Sequence, residues 1–210
     1  MVTYRDRERR LLDLVVKAER SYALSQRVAQ LSGTQAAVRH KCFISYHGAN
    51  IDDVTDFVED FNEIFIPRVV GVTDSDHFRD PIDSTDEEYI KQQIGRKYLA
   101  DSTVTILFVG ECAWARRYID WEISSSLRDG KVNKRNGLLA ITPPDKSNNR
   151  LPDRIKDNWN REKASYARYY YYPDTEADLR RWIDDAFDAP NTRAHLIDNS
   201  RRLKQRNISC

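Results

Sequence analysis

The sequence predicts an α/β fold built on a five-stranded parallel sheet, and three observations predict it. From about residue 39 onward, short apolar segments alternate with amphipathic ones. The connections between them are short, and two of the strand-like segments run directly into polar turns. Strand–helix alternation of this kind is typical of a parallel sheet that helices cover on both faces. We therefore expect a doubly wound, flavodoxin-like fold with strand order 2-1-3-4-5 and an N-terminal helical extension.

Residues 1–36 form the predicted N-terminal extension. No Gly or Pro occurs before Gly33, so one long amphipathic helix, or two shorter ones, is expected to end at Ser32–Gly33. Such a helix has little stability in water unless its apolar face is covered. That face must pack on the chain's own domain or on another copy, and we favour self-association. The predicted apolar stripe consists of Leu11, Val15, Ala18, Tyr22 and Ala29.

Residues 37–190 form the predicted α/β domain. Its strands are predicted at Cys42–Tyr46, Arg68–Val72, Val104–Val109, Leu138–Thr142 and Tyr166–Tyr172. Its helices are predicted at Asp52–Ile64, from Ser84 onward with a capping-box pattern, at Trp114–Leu127, at Leu151–Asn160 and at Asp174–Phe187, where Asp174 is the expected cap. Residues 191–210 are polar and largely basic, so they are expected to form a loosely held tail.

The composition excludes several classes of protein. With 34 basic and 33 acidic residues the net charge is +1, which creates no field that attracts nucleic acid or an anionic membrane. No apolar run is long enough to span a bilayer. The three cysteines are far apart and odd in number, which favours free thiols in a reducing cytoplasm. The four histidines lack metal-ligand spacing, so no metal site is predicted.

Two polar turns are predicted to meet at one crevice. In the 2-1-3-4-5 order the topological switch falls between strands one and three, and ligands bind beyond the carboxyl ends of those strands. These ends are the turns Ser45–Asn50 and Gly110–Arg117. The helix after the second turn carries Trp114, Tyr118 and Glu122 at spacings of four. This spacing places two aromatic rings and a carboxylate on one helix face.

Glu122 borders the predicted core stripe of its helix, so its carboxylate is expected to be partly desolvated. This position fits a functional acid, and it also fits a solvated or ion-paired surface residue. For Trp114 and Tyr118 two roles are equally compatible with the sequence: contact with a ligand, and packing against the sheet. The nearby candidates for an ion pair with Glu122 are Arg116, Arg117 and Arg128.

The segment from about Lys41 to Gly130 resembles the Toll/interleukin-1 receptor (TIR) domain family, and within it the bacterial TIR-like proteins of the Thoeris anti-phage system. The resemblance rests on the strand CFISYHG, the serine-led helix at Ser84–Ile94, the strand VTILFVG and the helix WARRYIDWEISSSL. The segment Asp74–Pro81 is a poor match to the Arg-, Pro- and Gly-rich loop of animal TIR domains. The first 35 residues and residues 161–210 lie outside the resemblance.

The resemblance implies an enzyme that consumes NAD as a substrate and needs no resident cofactor. Enzymatically active TIR domains cleave the bond between nicotinamide and ribose, and Glu122 matches the family's glutamate. The Thoeris likeness implies that ADP-ribose or a cyclic ADP-ribose-type signal is released and activates a separate effector protein. A homo-oligomer is also implied, because TIR sites are often completed between subunits. The implied substrate-binding set is Ser45, Tyr46, His47, Phe78, Ser84, Trp114 and Tyr118.

One further class stays open beside the enzyme, and another is discounted. A non-catalytic TIR interaction module could keep the glutamate by descent. A phosphate-accepting receiver domain has the same topology but needs an Asp at the end of strand three. This chain has Val109–Gly110 there, so the receiver class is disfavoured.

Overall fold

The structure, a computed structural model, describes residues 3–69, 86, 89, 99, 101–130, 134–144, 146 and 150–210. Phe78, Ser84 and the helix predicted to begin at Ser84 fall outside these residues. The segment Asp74–Pro81 falls outside them as well.

The sheet has five parallel strands in the order β2-β1-β3-β4-β5, which confirms the predicted topology. Residues 42–45 of the first strand pair with residues 104–107 of the third, so these two strands are neighbours at the centre of the sheet. The second strand begins two residues before its predicted start, and the remainder of the prediction, beyond residue 69, lies outside the described range. The strands are β1 (Lys41–Ser45), β2 (Ile66–Arg68), β3 (Val104–Phe108), β4 (Gly137–Ile141) and β5 (Arg168–Tyr170).

Five α-helices are described: α1 (Tyr4–Ser32), α2 (Ile51–Phe61), α3 (Arg117–Ser126), α4 (Asp153–Asn158) and α5 (Glu176–Thr192). None of them has a stretch long and apolar enough to cross a membrane. The predicted cap of α5 is wrong by one residue, because the hydroxyl of Thr175 accepts the backbone N–H of Asp178 at 3.1 Å. The helix also continues five residues beyond its predicted end at Phe187.

Helices cover both faces of the sheet, as the doubly wound class requires. On one face, α1, α2 and α5 pack against Ile44, Ile106 and Phe108 through residues such as Phe57 and Ile183. On the other face, α3 and α4 pack against alternate residues of the same strands; this cluster includes Leu107, Ala140, Ile119, Ile123 and Ile155.

The N-terminal helix packs on its own domain. Leu11 and Ala18 of the predicted stripe are buried, and the other three members are half-buried. Arg7 pairs with Asp52 of α2 at 2.5 Å across this contact. The helix ends as predicted, with Gly33 in the left-handed conformation at φ 67°. The preference for using this stripe in self-association is therefore wrong, because α2 and β2 of the same chain cover it.

The C-terminal segment, residues 197–210, is held against α3, so the prediction of a loosely held tail is wrong. The indole N–H of Trp121 donates to the carbonyl of Lys204 at 2.8 Å, and the N–H of Lys204 donates to Asp120 at 2.9 Å. Leu203 is 3% exposed and lies in a small apolar cluster with Trp121. Backbone groups supply many of these contacts, which a polar composition does not reveal.

The cysteines are not all free. Cys112 and Cys210 form a disulfide with their Cα atoms 5.8 Å apart, whereas Cys42 is free and buried. The prediction of three free thiols is therefore wrong for two of them. The pair is 98 residues apart in sequence. Only the return of the C-terminal segment to the turn after β3 brings the two sulfurs together.

Candidate functional site

The centre of the candidate site is a contact between β1 and α3. The hydroxyl of Ser45, the last residue of β1, donates to Oε2 of Glu122 at 2.5 Å. Successive strand residues point to opposite faces, so Ser45 faces α3 while Ile44 and Tyr46 pack in the core on the other face. Ser45 is 1% exposed and Glu122 is 2% exposed. The structure thus joins two residues that the sequence analysis placed in one crevice.

Burial makes Glu122 a weak acid. Desolvation raises the pKa of its carboxyl from 4.5 to about 8, and the hydrogen bond from Ser45 offsets part of that rise. The solvated interpretation of Glu122 is wrong, because its carboxyl is buried. Arg117, one of the candidate ion-pair partners, stacks over Trp121 at 5.0 Å and donates to the carbonyl of Gln205 instead. At neutral pH the free protein therefore holds Glu122 protonated.

We expect the stability of wild-type protein and of Glu122→Gln to diverge as the pH rises. The unfolded chain releases the Glu122 proton near pH 4.5, whereas the native state keeps it until about pH 8. Between these values the native state binds more protons, so its unfolding free energy falls with rising pH, by up to ~1.4 kcal/mol per pH unit. Urea denaturation of both proteins across this range measures the difference. Parallel pH profiles would contradict the raised pKa.

Tyr118 lies one turn before Glu122 on α3, as predicted. Its ring is half-buried and packs with Trp121, the two ring centroids being 6.4 Å apart. Trp114 is different, because α3 begins only at Arg117 and Arg116 is extended at φ −92°, ψ 123°. The prediction that Trp114 shares the helix is therefore wrong.

Trp114 lies instead in the short 3-10 turn Ala113–Ala115. The guanidinium of Arg150 stacks over its ring at 4.2 Å. The helical spacing of four therefore does not carry Trp114 onto the face of Tyr118 and Glu122. Any contact of this ring with a ligand has to accommodate Arg150.

The remaining predicted site residues occupy different positions. His47 directly precedes the 3-10 turn Gly48–Asn50 and is half-buried; burial and the nearby Arg116 lower its pKa. Tyr46 packs against the core on the face opposite Ser45, and burial raises the pKa of its hydroxyl. Phe78 and Ser84 lie outside the described residues.

Asn50, which ends the turn after β1, was not among the predicted site residues. Asn50 is 4% exposed and its carboxamide lies directly against Gly110, the residue that opens the turn after β3. The two predicted turns therefore touch. The sequence signal that could have indicated Asn50 was a small polar residue at the start of α2, at the end of a turn predicted to bind a ligand.

No resident metal is indicated by the described part of the chain. Its His, Cys, Asp and Glu side chains form no group of three or more that could hold a metal ion.

A parallel sheet in 2-1-3-4-5 order with helices on both faces defines a doubly wound, flavodoxin-like domain. The family model for the Thoeris protein ThsB, TIR-like domain, matches residues 43–148, half of the chain. The chain belongs to this family, which places its role in anti-phage defence alongside other proteins of that system. No curated protein matches the chain.

Proposed function

We propose that the chain is an enzyme that cleaves the nicotinamide–ribose bond of NAD. The observation that carries the proposal is the buried Glu122, hydrogen-bonded to Ser45 at the carboxyl end of β1, where β1 and β3 form the topological switch. Ligands of doubly wound folds bind at this place. A desolvated carboxyl with a raised pKa in such a position is typical of a functional group.

The reaction needs the negative charge of a carboxylate more than it needs a proton donor. Nicotinamide leaves a cationic pyridinium as a neutral base, so its departure needs little proton transfer. The ribose left behind has oxocarbenium character, as in glycoside hydrolysis. A fixed carboxylate in a low-dielectric site stabilises that positive charge. Glu122 is placed to supply it, and Ser45 fixes the orientation of its carboxyl.

Binding of NAD would favour the negatively charged form of Glu122, which is protonated in the free protein. A cation near a carboxyl lowers its pKa, and the pyridinium of NAD is such a cation. Binding of NAD next to Glu122 would therefore drive the proton off the carboxyl when the charge is needed. The resting site is neutral and 2% exposed at Glu122, which fits an enzyme that is silent until triggered.

The other predicted residues are proposed to hold the nucleotide. Ser84 and His47 would bond ribose or phosphate oxygens, and Ser45, whose hydroxyl hydrogen is donated to Glu122, would accept a hydrogen bond from a ribose hydroxyl. Attack of water on the ribose would release ADP-ribose, whereas internal attack would give a cyclic isomer. We propose that this product activates a separate effector protein. The side chains proposed to line the pocket around the rings of NAD are Phe78, Trp114 and Tyr118. The prediction that Tyr46 binds substrate is dropped, because its ring packs in the core on the face opposite Ser45.

The test is incubation of purified protein with NAD, followed by chromatography and mass spectrometry of the products. Because Glu122 is buried in the free protein, the same assay is repeated in extract from phage-infected cells. Release of nicotinamide with ADP-ribose or a cyclic isomer supports the proposal. NAD that stays intact in both assays would instead favour the non-catalytic interaction module.

We further propose that the chain forms a homo-oligomer through the outer face of α1. This face carries apolar side chains that are 36–81% exposed, although it belongs to an otherwise charged helix. Exposed apolar patches of this kind mark interaction surfaces. The residues are Leu12, Val16, Leu24, Val28 and Leu31.

Placing charge on that face is expected to weaken self-association. The double variant Leu24→Glu/Val28→Glu should raise the dissociation constant at least about tenfold, because a charged side chain cannot be buried in an apolar contact without cost. Light scattering over a range of concentrations measures it. The matched control is Val38→Glu, a substitution at a residue that is 61% exposed but outside the helix. An unchanged mass in the double variant would place the interface elsewhere.

A further inference from the structure

Asn50 carries a buried polar atom that the fold does not use. Its Oδ1 is buried and has no hydrogen-bond partner among the described residues. Buried polar atoms in folded proteins are nearly always hydrogen-bonded, so an exception calls for an explanation. The atom belongs to the turn Ser45–Asn50, whose first residue donates to Glu122.

The orientation of the Asn50 carboxamide is fixed. Its Nδ2 donates to Oδ2 of Asp53 at 2.9 Å, and an exchange of the two amide atoms would place the oxygen against that carboxylate. Asn50 precedes the first residue of α2, where an Asn side chain usually accepts a backbone N–H of the helix. It makes no such capping bond here. The oxygen is turned away from the helix that it would ordinarily cap.

Gly110 makes room for this carboxamide. A Cβ atom built on Gly110 would lie 1.9 Å from Oδ1 and 2.3 Å from Cγ of Asn50. No larger residue fits at position 110 without moving Asn50. The carboxamide therefore reaches from the turn after β1 to the turn after β3.

We propose that Asn50 is a positioning residue for the nucleotide: its Oδ1 accepts a hydrogen bond from a donor on the nicotinamide–ribose half of NAD. The inference rests on the proposed function. The donors of that half are the N–H groups of the nicotinamide amide and the ribose hydroxyls. Because Nδ2 is engaged by Asp53, Asn50 offers an acceptor and no free amide donor of its own. Asn50 therefore selects for a hydrogen-bond donor on the ligand.

The main test compares wild type with Asn50→Leu, which keeps the approximate shape and removes the acceptor. We expect kcat/KM for NAD to fall by about 10- to 100-fold, the range for a lost hydrogen bond that leaves a polar group unpaired. Asn50→Leu also removes the hydrogen bond from Nδ2 to Asp53, so the melting temperature should fall only by the small amount that this single bond accounts for. A drop in melting temperature without a loss in kcat/KM would show a structural role and overturn the proposal. Asn62→Leu, at the other end of α2, is the control.

Substrate analogues identify the donor. On nicotinic acid adenine dinucleotide, which lacks the amide N–H, the difference between wild type and Asn50→Leu vanishes if the amide is the donor. On an analogue with a deoxygenated nicotinamide ribose, it vanishes if a ribose hydroxyl is the donor. Either result supports the proposal. An equal penalty on every analogue, or kcat/KM within twofold of wild type on NAD, overturns it.

A binding measurement separates this inference from the proposed function. If wild-type protein leaves NAD intact in every assay, the proposed function fails. Calorimetric titration of NAD into wild type and into Asn50→Leu then decides the role of Asn50. Weaker binding by the variant sustains the positioning role without catalysis, and equal or undetectable binding by both proteins overturns it.

Discussion

Glu122→Gln is expected to reduce nicotinamide release from NAD by about 10²–10³-fold or more, the scale of losing a preorganised electrostatic group at a reacting centre. Glutamine matches the protonated form of Glu122 in shape and can replace it beside Ser45. It cannot become negative when the cationic substrate arrives. The fold should therefore survive while the charge that stabilises the ribose is lost. Quantifying nicotinamide by chromatography, with melting temperature measured in parallel, tests both parts.

The matched control for this substitution is Glu162→Gln. Glu162 is an exposed glutamate in the connection between α4 and β5, so this substitution should leave activity and folding unchanged. Ser45→Ala adds an independent check, because the Ser45 hydroxyl lowers the pKa of Glu122. Its removal should move the rising limb of the pH–rate profile to higher pH. Near wild-type rates in Glu122→Gln would remove Glu122 from the catalytic role.

The topology could be predicted because apolar strand segments and amphipathic helical segments alternate regularly along the chain. Strands buried on both faces read as apolar runs, and CFIS and TILF are runs of this kind. Each is followed by a turn and then by a helical periodicity. The observed strand starts differ from the predicted ones by two residues at most, whereas helix boundaries differ by as many as five, at the end of α5. The cap of α5 moved from Asp174 to Thr175 because two adjacent residues can both cap a helix, and only geometry selects one.

The site was predictable in part. The four-residue spacing correctly places Tyr118 and Glu122 on one helix face, and the alternation of β1 turns Ser45 towards α3. Trp114 obeys the same spacing but lies before the break at Arg116, and the sequence has no Gly or Pro to signal that break. The position of the Asn50 carboxamide depends on a contact with Gly110, which is sixty residues away in sequence. Pattern alone does not reveal such a contact.

The C-terminal segment escaped prediction because its anchor is a buried charge. Arg154 is fully buried, although arginine in a polar helix ordinarily indicates a solvated face. It donates to both carboxylate oxygens of Asp120 at 3.0 and 3.2 Å. It also donates to the side chain of Asn199 at 2.8 Å and to the carbonyls of Arg201 and Arg202 at 2.9 and 3.2 Å. One guanidinium thus joins α3, α4 and the C-terminal segment.

Arg154→Leu is therefore expected to lower the unfolding free energy by about 3–5 kcal/mol, because it leaves the carboxylate of Asp120 buried without its cation. Urea denaturation measures the loss. Arg201→Leu is the control: its pair with Asp157 is partly exposed, so the cost should stay below ~1 kcal/mol. The double variant Arg154→Leu/Asp120→Leu should recover part of the loss, since no buried charge is then left unpaired. A cost for Arg154→Leu as small as that of the control would mean that the Cys112–Cys210 disulfide and the apolar and backbone contacts hold the C-terminal segment without help from Arg154.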